Sequence, residues 1–218
     1  MPEITSVESQ KKQKNRFNIY IDGKFAFGAD ENVVAKFRIH AGLKLSATQV
    51  TNLVKESDQA KLMDQTLNFL SYRPRSEKEI RDYLTKRISK KEKVSWHQAS
   101  ESPLINNILV KFKRYKYIND SDFASWWLES RSKSNPKGIL AVKYELIKKG
   151  IDRDIIETSL AKIPNQLKIA KIAIEKKMKS WKNHKKYELK KKIYAYLAAR
   201  GFEADTIKEA FAHFDKKR

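Results

Sequence analysis

The chain has 218 residues and a formal net charge of +21, from 47 Lys and Arg against 26 Asp and Glu, and it contains no Cys. That balance attracts polyanions, nucleic acid first among them, while the lack of Cys excludes a disulfide framework, a thiolate nucleophile and a Cys-ligated zinc site. With 40% apolar residues but only six Gly and five Pro, the chain can bury a core yet has too few turn formers for an all-β sandwich or barrel.

At the N-terminus no apolar leader precedes "ITSVES" and "RFNIYI-DG-KFAF", which read as about three strands. Asp22-Gly23 between β-rich runs marks a tight hairpin, because both turn residues must reach positive φ. Phe17, Tyr20, Phe25 and Phe27 alternate along it, so one face packs and the other is exposed. The polar run "QKKQKN" is an exposed loop carrying Lys11, Lys12 and Lys14. Residues 30–39 turn helical, with Val33, Val34 and Phe37 on one side, and close through Gly42. Ser46 and Gln49 form a capping box that opens another helix.

The sequence then repeats. "LIKKGIDRDIIETSL" aligns without a gap with "LAARGFEADTIKEAF", placing Leu146 over Leu197, Gly150 over Gly201 and Ile156 over Ile207. In each, a helix stops at Gly, which accepts the left-handed geometry of a C-cap, and a short amphipathic helix follows. "SEKEIRDYL" is the middle helix of an earlier copy: Ser76 and Glu79 make its capping box, and Pro74 ends the helix before it. In the second copy, Asn135 is the expected N-cap with Pro136 at N1. "WKNHKKYEL" is a weaker break in the third. Each copy also has a first helix with apolar residues at spacings of three and four: Met63, Leu67 and Leu70; Phe123, Trp126 and Trp127; Leu167, Ala170, Ile174, Met178 and Trp181.

The expected division is a β-hairpin and helix extension over 1–57 and three-helix units over 58–118, 119–163 and 164–218. Stacked end to end, they predict a mainly α, elongated, curved array. One departure is visible: Ile88 stands where the later copies have Gly, and "SKKEKVSWHQASES" intervenes before the last helix of that copy. This long basic loop is either an insertion that touches a partner or a tolerated surface excursion.

Signs of catalysis are sparse. His40, His97, His184 and His213 show no metal or triad spacing, and no Gly-rich phosphate loop occurs. Asp120, Asp122 and Glu129 read as helix caps and solvated charge. No enzyme activity, cofactor or metal is expected, and no uncharged run approaches the ~20 residues that span a bilayer, so the protein is expected to be soluble and cytoplasmic.

Positive charge is densest over residues 165–192, with eleven Lys against two Glu and with Trp181 and Tyr187 interleaved. Lys185, Lys186 and Lys190 lie there. A more scattered set comprises Arg16, Lys24, Arg73, Arg75, Arg81, Lys86, Arg87, Arg114, Arg131 and Lys137. Both sets are candidate contacts to a phosphate backbone or an acidic protein surface. Trp126 and Trp127 could stack on bases, but their helical register favours core packing.

"LNFLSYRPRSEKEIRDYL", "YINDSDFASWWLESRSKSNPKGILAVKYELIKKGID" and "ARGFEADTIKEAF" resemble the RecX family of bacterial regulatory proteins, which are built from tandem three-helix repeats. The N-terminal segment resembles the extension of the Firmicutes-type branch. The resemblance implies a non-enzymatic modulator of the RecA recombinase. Such a protein lodges along the groove of RecA filaments on single-stranded DNA, blocks their growth and depresses ATPase, recombination and coprotease activities, with consequences for DNA repair and the SOS response. Carried over by position, the matching basic residues are Arg73, Arg75, Arg81, Arg131, Lys137, Lys148 and Lys149. The expected partners are the RecA filament and single-stranded DNA, with double-stranded DNA an open addition, and the expected state is a monomer off the membrane. The rival expectation is a general basic DNA- or RNA-binding repeat module with no recombinase partner. A nucleic-acid enzyme is a third.

Overall fold

The computed structural model describes residues 1–11, 13–163, 165–181 and 185–215. The protein is mainly helical, with one small sheet at its N-terminus, and its backbone falls into two compact units. One comprises residues 1–73 and 80–114, the other residues 74–79 and 115–218.

In the first unit, strands β1 (Ile4–Ser9), β2 (Arg16–Ile21) and β3 (Lys24–Asp30) form an antiparallel sheet in that order. Asp22 and Gly23 sit at φ 48° and 76°, as a two-residue hairpin between right-twisted strands requires. Ile4, Ile19, Phe27 and Ala29 are buried beneath helices α1 (Glu31–Lys36) and α2 (Ala47–Ser71), while Phe25 is exposed at the turn. Asp30 caps α1 by accepting the Val33 N–H. The capping box of α2 is reciprocal: Ser46 Oγ accepts the Gln49 N–H at 3.2 Å and Gln49 Oε1 accepts the Ser46 N–H at 2.7 Å.

Helix α2 carries the chain without a break from the sheet into the first helical triplet, where Leu62 is buried with residues of α3 (Glu77–Glu92) and α5 (Pro103–Arg114), among them Ile80, Leu84, Ile108 and Phe112. The stretch expected to be a basic loop is largely ordered helix. Helix α3 runs on to Glu92, Lys93 takes the left-handed conformation, and a five-residue helix α4 (Trp96–Ser100) follows. Ser95 and Gln98 cap α4 reciprocally and Ala99 is buried beneath it, which gives the segment a local reason to fold.

The second unit holds α6 (Asp120–Lys133), α7 (Ile139–Lys148) and α8 (Arg153–Leu160), then α9 (Gln166–Trp181), α10 (Lys186–Ala199) and α11 (Ala204–Asp215). Each triplet has its own core, Phe123, Val142, Leu146 and Ile156 in one and Ala170, Ile174, Ile193, Leu197 and Ile207 in the other, with Ile163 packed against both. Trp126 and Trp127 lie on Phe123, with ring centroids 5.9 and 5.6 Å away, so the register favouring core packing holds.

The middle helices meet head to tail. At the start of α7, Gly138 N–H donates to Arg200 O at 2.9 Å and Leu140 N–H donates to Gly201 O at 3.1 Å, at the end of α10. One repeat earlier, Ser76 Oγ donates to Lys149 O at 2.8 Å at the end of α7, and it accepts the Glu79 N–H at 3.2 Å. Asp120 Oδ1 adds a bond from the Glu77 N–H at 2.9 Å. At the α7–α10 joint, N–H groups orphaned at a helix start meet carbonyls orphaned at a helix end directly. At the earlier joint the Ser76 hydroxyl donates to the carbonyl, and side-chain oxygens of Ser76 and Asp120 accept from the N–H groups.

These joints correct the expected cap of the second copy. Gly138 occupies the N-cap position, at φ −75° and ψ 164°, and Pro136 lies outside the helix. Asn135 instead accepts a hydrogen bond from Arg200 Nη1 at 2.6 Å. The reason is steric: a Cβ on Gly138 would lie 2.1 Å from Gly201 O, so only glycine allows the two backbones to bond. Gly150 and Gly201 take φ of 76° and 77°, the expected left-handed caps.

Candidate polyanion-binding surfaces

The structure sorts the basic residues singled out from the sequence into tethered and exposed groups. In the first unit Arg16 is buried and its guanidinium lies 3.2 Å from Asp64 Oδ2, tying β2 to α2. Burial and the neighbouring Asp30 raise the Asp64 carboxyl above its ordinary range, against the opposing pull of Arg16. Arg81 donates to Asn106 Oδ1 at 2.9 Å. Arg87 donates to the Tyr83 hydroxyl at 3.1 Å and lies over its ring, which stacks on Phe69 at 4.4 Å. Lys24, Lys86 and Arg114 are exposed, and Arg73 is half-buried beyond the end of α2.

In the second unit, Glu145 of α7 is a hub. Its Oε2 accepts from Arg131 Nε at 2.7 Å and from Trp127 Nε1 at 2.8 Å, and its Oε1 accepts from Lys137. Burial disfavours the charged carboxyl, but these donors outweigh it and hold Glu145 below the usual carboxylate range. Lys149 pairs with Glu79 at 2.5 Å. Arg131 and Lys149 also lie over the Trp127 ring at 4.2 and 5.2 Å, so the indole, two cations and Glu145 form one interlocked cluster. Arg75 is half-buried. Of the basic residues carried over by resemblance, Arg131, Lys137 and Lys149 are therefore structural ties as well as charges.

The lysine-rich segment behaves differently. Lys177, Lys179, Lys185, Lys186, Lys190, Lys191 and Lys192 are exposed on or beside α9 and α10. Lys186 reaches Asp215 at 2.8 Å, and Lys191 lies 4.5 Å from the ring of Tyr187, itself 68% exposed. Lys176 donates to Lys133 O and Ser134 O, covering the carbonyl end of α6. Lys12 of the N-terminal loop and Lys182, Asn183 and His184 of the third-copy break lie outside the described residues.

The sequence reading missed a second surface. Leu140, Tyr144 and Ile147 form a line along α7 and are 53%, 58% and 49% exposed, with Lys148 over the Tyr144 ring at 4.5 Å. The signal was present, since "ILAVKYELI" is apolar around most of its circumference and only Val142 and Leu146 are buried. Among the described residues there is no group of three or more His, Asp and Glu that could hold a metal ion, and no helix is long and apolar enough to cross a membrane.

A small antiparallel sheet followed by basic three-helix units, joined through their middle helices, defines a helical-repeat protein with cationic and apolar outer faces. Family models match it part by part: the regulatory protein RecX N-terminal domain over residues 2–46, and the first, second and third RecX three-helix domains over residues 63–89, 119–160 and 165–211. The chain belongs to the RecX family of regulatory proteins. It is 34% identical to the regulatory protein RecX of Bacillus subtilis, over 96% of this chain and 76% of that one. Against that of Listeria welshimeri it is 35% identical, over 95% and 74%. A crystal structure of regulatory protein RecX matches with a TM-score of 0.67 at 27% identity, covering 96% of this chain and 98% of that one. That of RecX from Lactobacillus salivarius matches with a TM-score of 0.58 at 26% identity, over 72% and 97%.

Proposed function

We propose that this protein is a non-enzymatic regulator of the RecA recombinase, acting in the cytoplasm as a monomer. It binds along the groove of RecA filaments on single-stranded DNA and inhibits filament growth, ATPase, recombination and coprotease activity. Residues 58–118, 119–163 and 164–218 serve as successive contact modules behind the 1–57 extension.

Membership of the RecX family supports this reading, and the observation that carries it is the coexistence of two unlike surfaces in the second unit. Exposed lysines interleaved with Tyr187 on α10 suit a phosphate backbone. The apolar line of Leu140, Tyr144 and Ile147 on α7 suits a protein surface, since a simple binder of nucleic-acid backbone has no use for it. A nucleoprotein filament offers both at once, and many weak contacts along it add through effective concentration.

The test is a RecA ATPase assay on single-stranded DNA with this protein well below one per protomer. Inhibition at that ratio, lost on Tyr144→Ser with Ile147→Ser while binding to bare DNA persists, is the expected result. Equal affinity for bare and recombinase-coated DNA with no effect on ATPase would replace the reading with a general nucleic-acid-binding module.

A further inference from the structure

A cavity of about 630 Å³ opens in the second unit between α6 and α9. Leu128, Ile169 and Ile172 contribute to an aliphatic floor, and Lys162 and Lys168 stand at its mouth. Five cations line it in all, but three are committed: Arg131 and Lys137 to Glu145, and Lys133 to Glu129. Lys162 and Lys168 have no acidic partner among the described residues, so their charge is available to a ligand. Gln166 supplies the second polar feature. Its Oε1 accepts the Ile139 N–H at 3.1 Å, whereas its Nε2 is buried and has no hydrogen-bond partner among the described residues. A buried amide donor left unmade costs free energy until an acceptor arrives.

The geometry points to a binding site for one unstacked nucleotide of single-stranded nucleic acid, its base on the aliphatic floor against Gln166 and its phosphate at Lys162 and Lys168. The size lies within the range of ligand pockets, which are largely apolar with a few fixed polar groups. Unstacked bases are held in this manner, sandwiched by apolar side chains and read along an edge by hydrogen bonds. An aliphatic body with a carboxylate would match the cations and the floor equally well. A nucleotide is favoured because Lys168 begins the cationic run of α9, so a strand lying along that helix brings a base to the cavity with its phosphate already placed. The assignment rests on the nucleic-acid contact proposed above.

The experiment measures the affinity of the full chain for a 15-nucleotide single strand and for the same strand made abasic throughout, which keeps the phosphates and removes the bases. Intact DNA is expected to bind tighter, by about two- to tenfold from the hydrogen bond to the base alone, with equal salt dependence. Two variants locate the effect: Gln166→Glu keeps the oxygen that caps Ile139 but removes the buried donor, and Ile172→Trp fills the cavity without changing charge. Both should narrow the gap between the intact and abasic strands, leaving the part due to stacking outside the cavity, with melting temperatures near that of the parent. If neither variant narrows the gap, the base is held elsewhere and the assignment fails. If the parent binds both strands equally, the cavity takes no base although the protein binds DNA. Should Ile172→Trp then weaken binding only to recombinase-coated strands, the occupant is a protein side chain. Failure to bind either strand would overturn the nucleic-acid contact itself.

Discussion

Gly138 and Gly201 touch backbone to backbone, and each would collide with its neighbours if it carried a side chain: a Cβ on Gly138 would meet Gly201 O at 2.1 Å, and one on Gly201 would meet Ala141 N at 2.3 Å. The two differ in conformation, because Gly138 is in an extended region open to any residue while Gly201 is at φ 77°. Gly23 has the third combination, φ 76° with nothing near it. Alanine at these positions separates strain from contact. Gly23→Ala should cost roughly 1–2 kcal/mol, and Gly138→Ala about 2–4 kcal/mol through the forced joint and its lost hydrogen bonds. Gly201→Ala should exceed Gly138→Ala, since it suffers both. Urea unfolding measures all three; a Gly138→Ala variant as stable as the parent would show that the joint contributes nothing.

Glu145 sets an acid limit on the second unit. Its carboxyl titrates below the ordinary 4.5 because Lys137, Arg131 and Trp127 hold the charged form more strongly than burial disfavours it. A depressed folded-state value means stability that is present above about pH 4.5 and is lost as pH falls through the folded value. Glu145→Gln should therefore be less stable at pH 7, by about 1–3 kcal/mol, and should lose less on acidification. Thermal melts at pH 7, 5 and 3.5 test this; parallel curves would show that the carboxylate is not the titrating tie.

Arg16 should behave as a strut of the fold. Arg16→Met removes the guanidinium that reaches Asp64 from a buried position and is expected to destabilise the first unit by about 1–3 kcal/mol, with little change in DNA affinity. Asp64→Asn is expected to be milder. Because the Asp64 carboxyl is raised, its contribution to stability is full below about 3.8 and falls as pH rises through the folded value, so at neutral pH its charge is held at a cost that the amide avoids. Fluorescence melts and DNA titrations on both variants check the pair.

The exposed lysines should act through counterions. A binder making about six to ten phosphate contacts loses roughly 10³ to 10⁵ in affinity between 50 and 200 mM salt. Replacing Lys185 and Lys190 by Gln should lower the slope of log K against log salt by about 0.7 each on single strands. Lys149→Gln, which breaks the pair with Glu79, should show mainly as lost stability. If Lys149→Gln shifts the salt slope more than the other two, the division into tethered and exposed cations is wrong.

Features settled by near neighbours were readable in the sequence. Asp22-Gly23 and the Ser46–Gln49 box form because the turn and the cap involve only adjacent backbone. Ser95 and Gln98 carry the same signature, and the helix they open stands where a basic loop is expected from the charge pattern. Asn135 and Pro136 satisfy every local rule for a helix start, yet Gly138 takes the cap because its partner lies in the next repeat. No local rule carries that information. The repeated Gly150 and Gly201 were visible by alignment, but their meeting with another helix was not. Charge counting likewise could not separate Arg131 and Lys137, spoken for by Glu145, from the exposed lysines of α10.

Ile88 gives the departure from the glycine pattern a meaning. It is 1% exposed within α3, which continues past it to Glu92, so no further repeat can dock there in the way α7 docks on α10. A glycine at that place would advertise a vacancy; an isoleucine seals it. The tally of modules is thus bounded on one side by a single side chain, and any engineered lengthening of the series would have to be grafted after the third module, not ahead of the first.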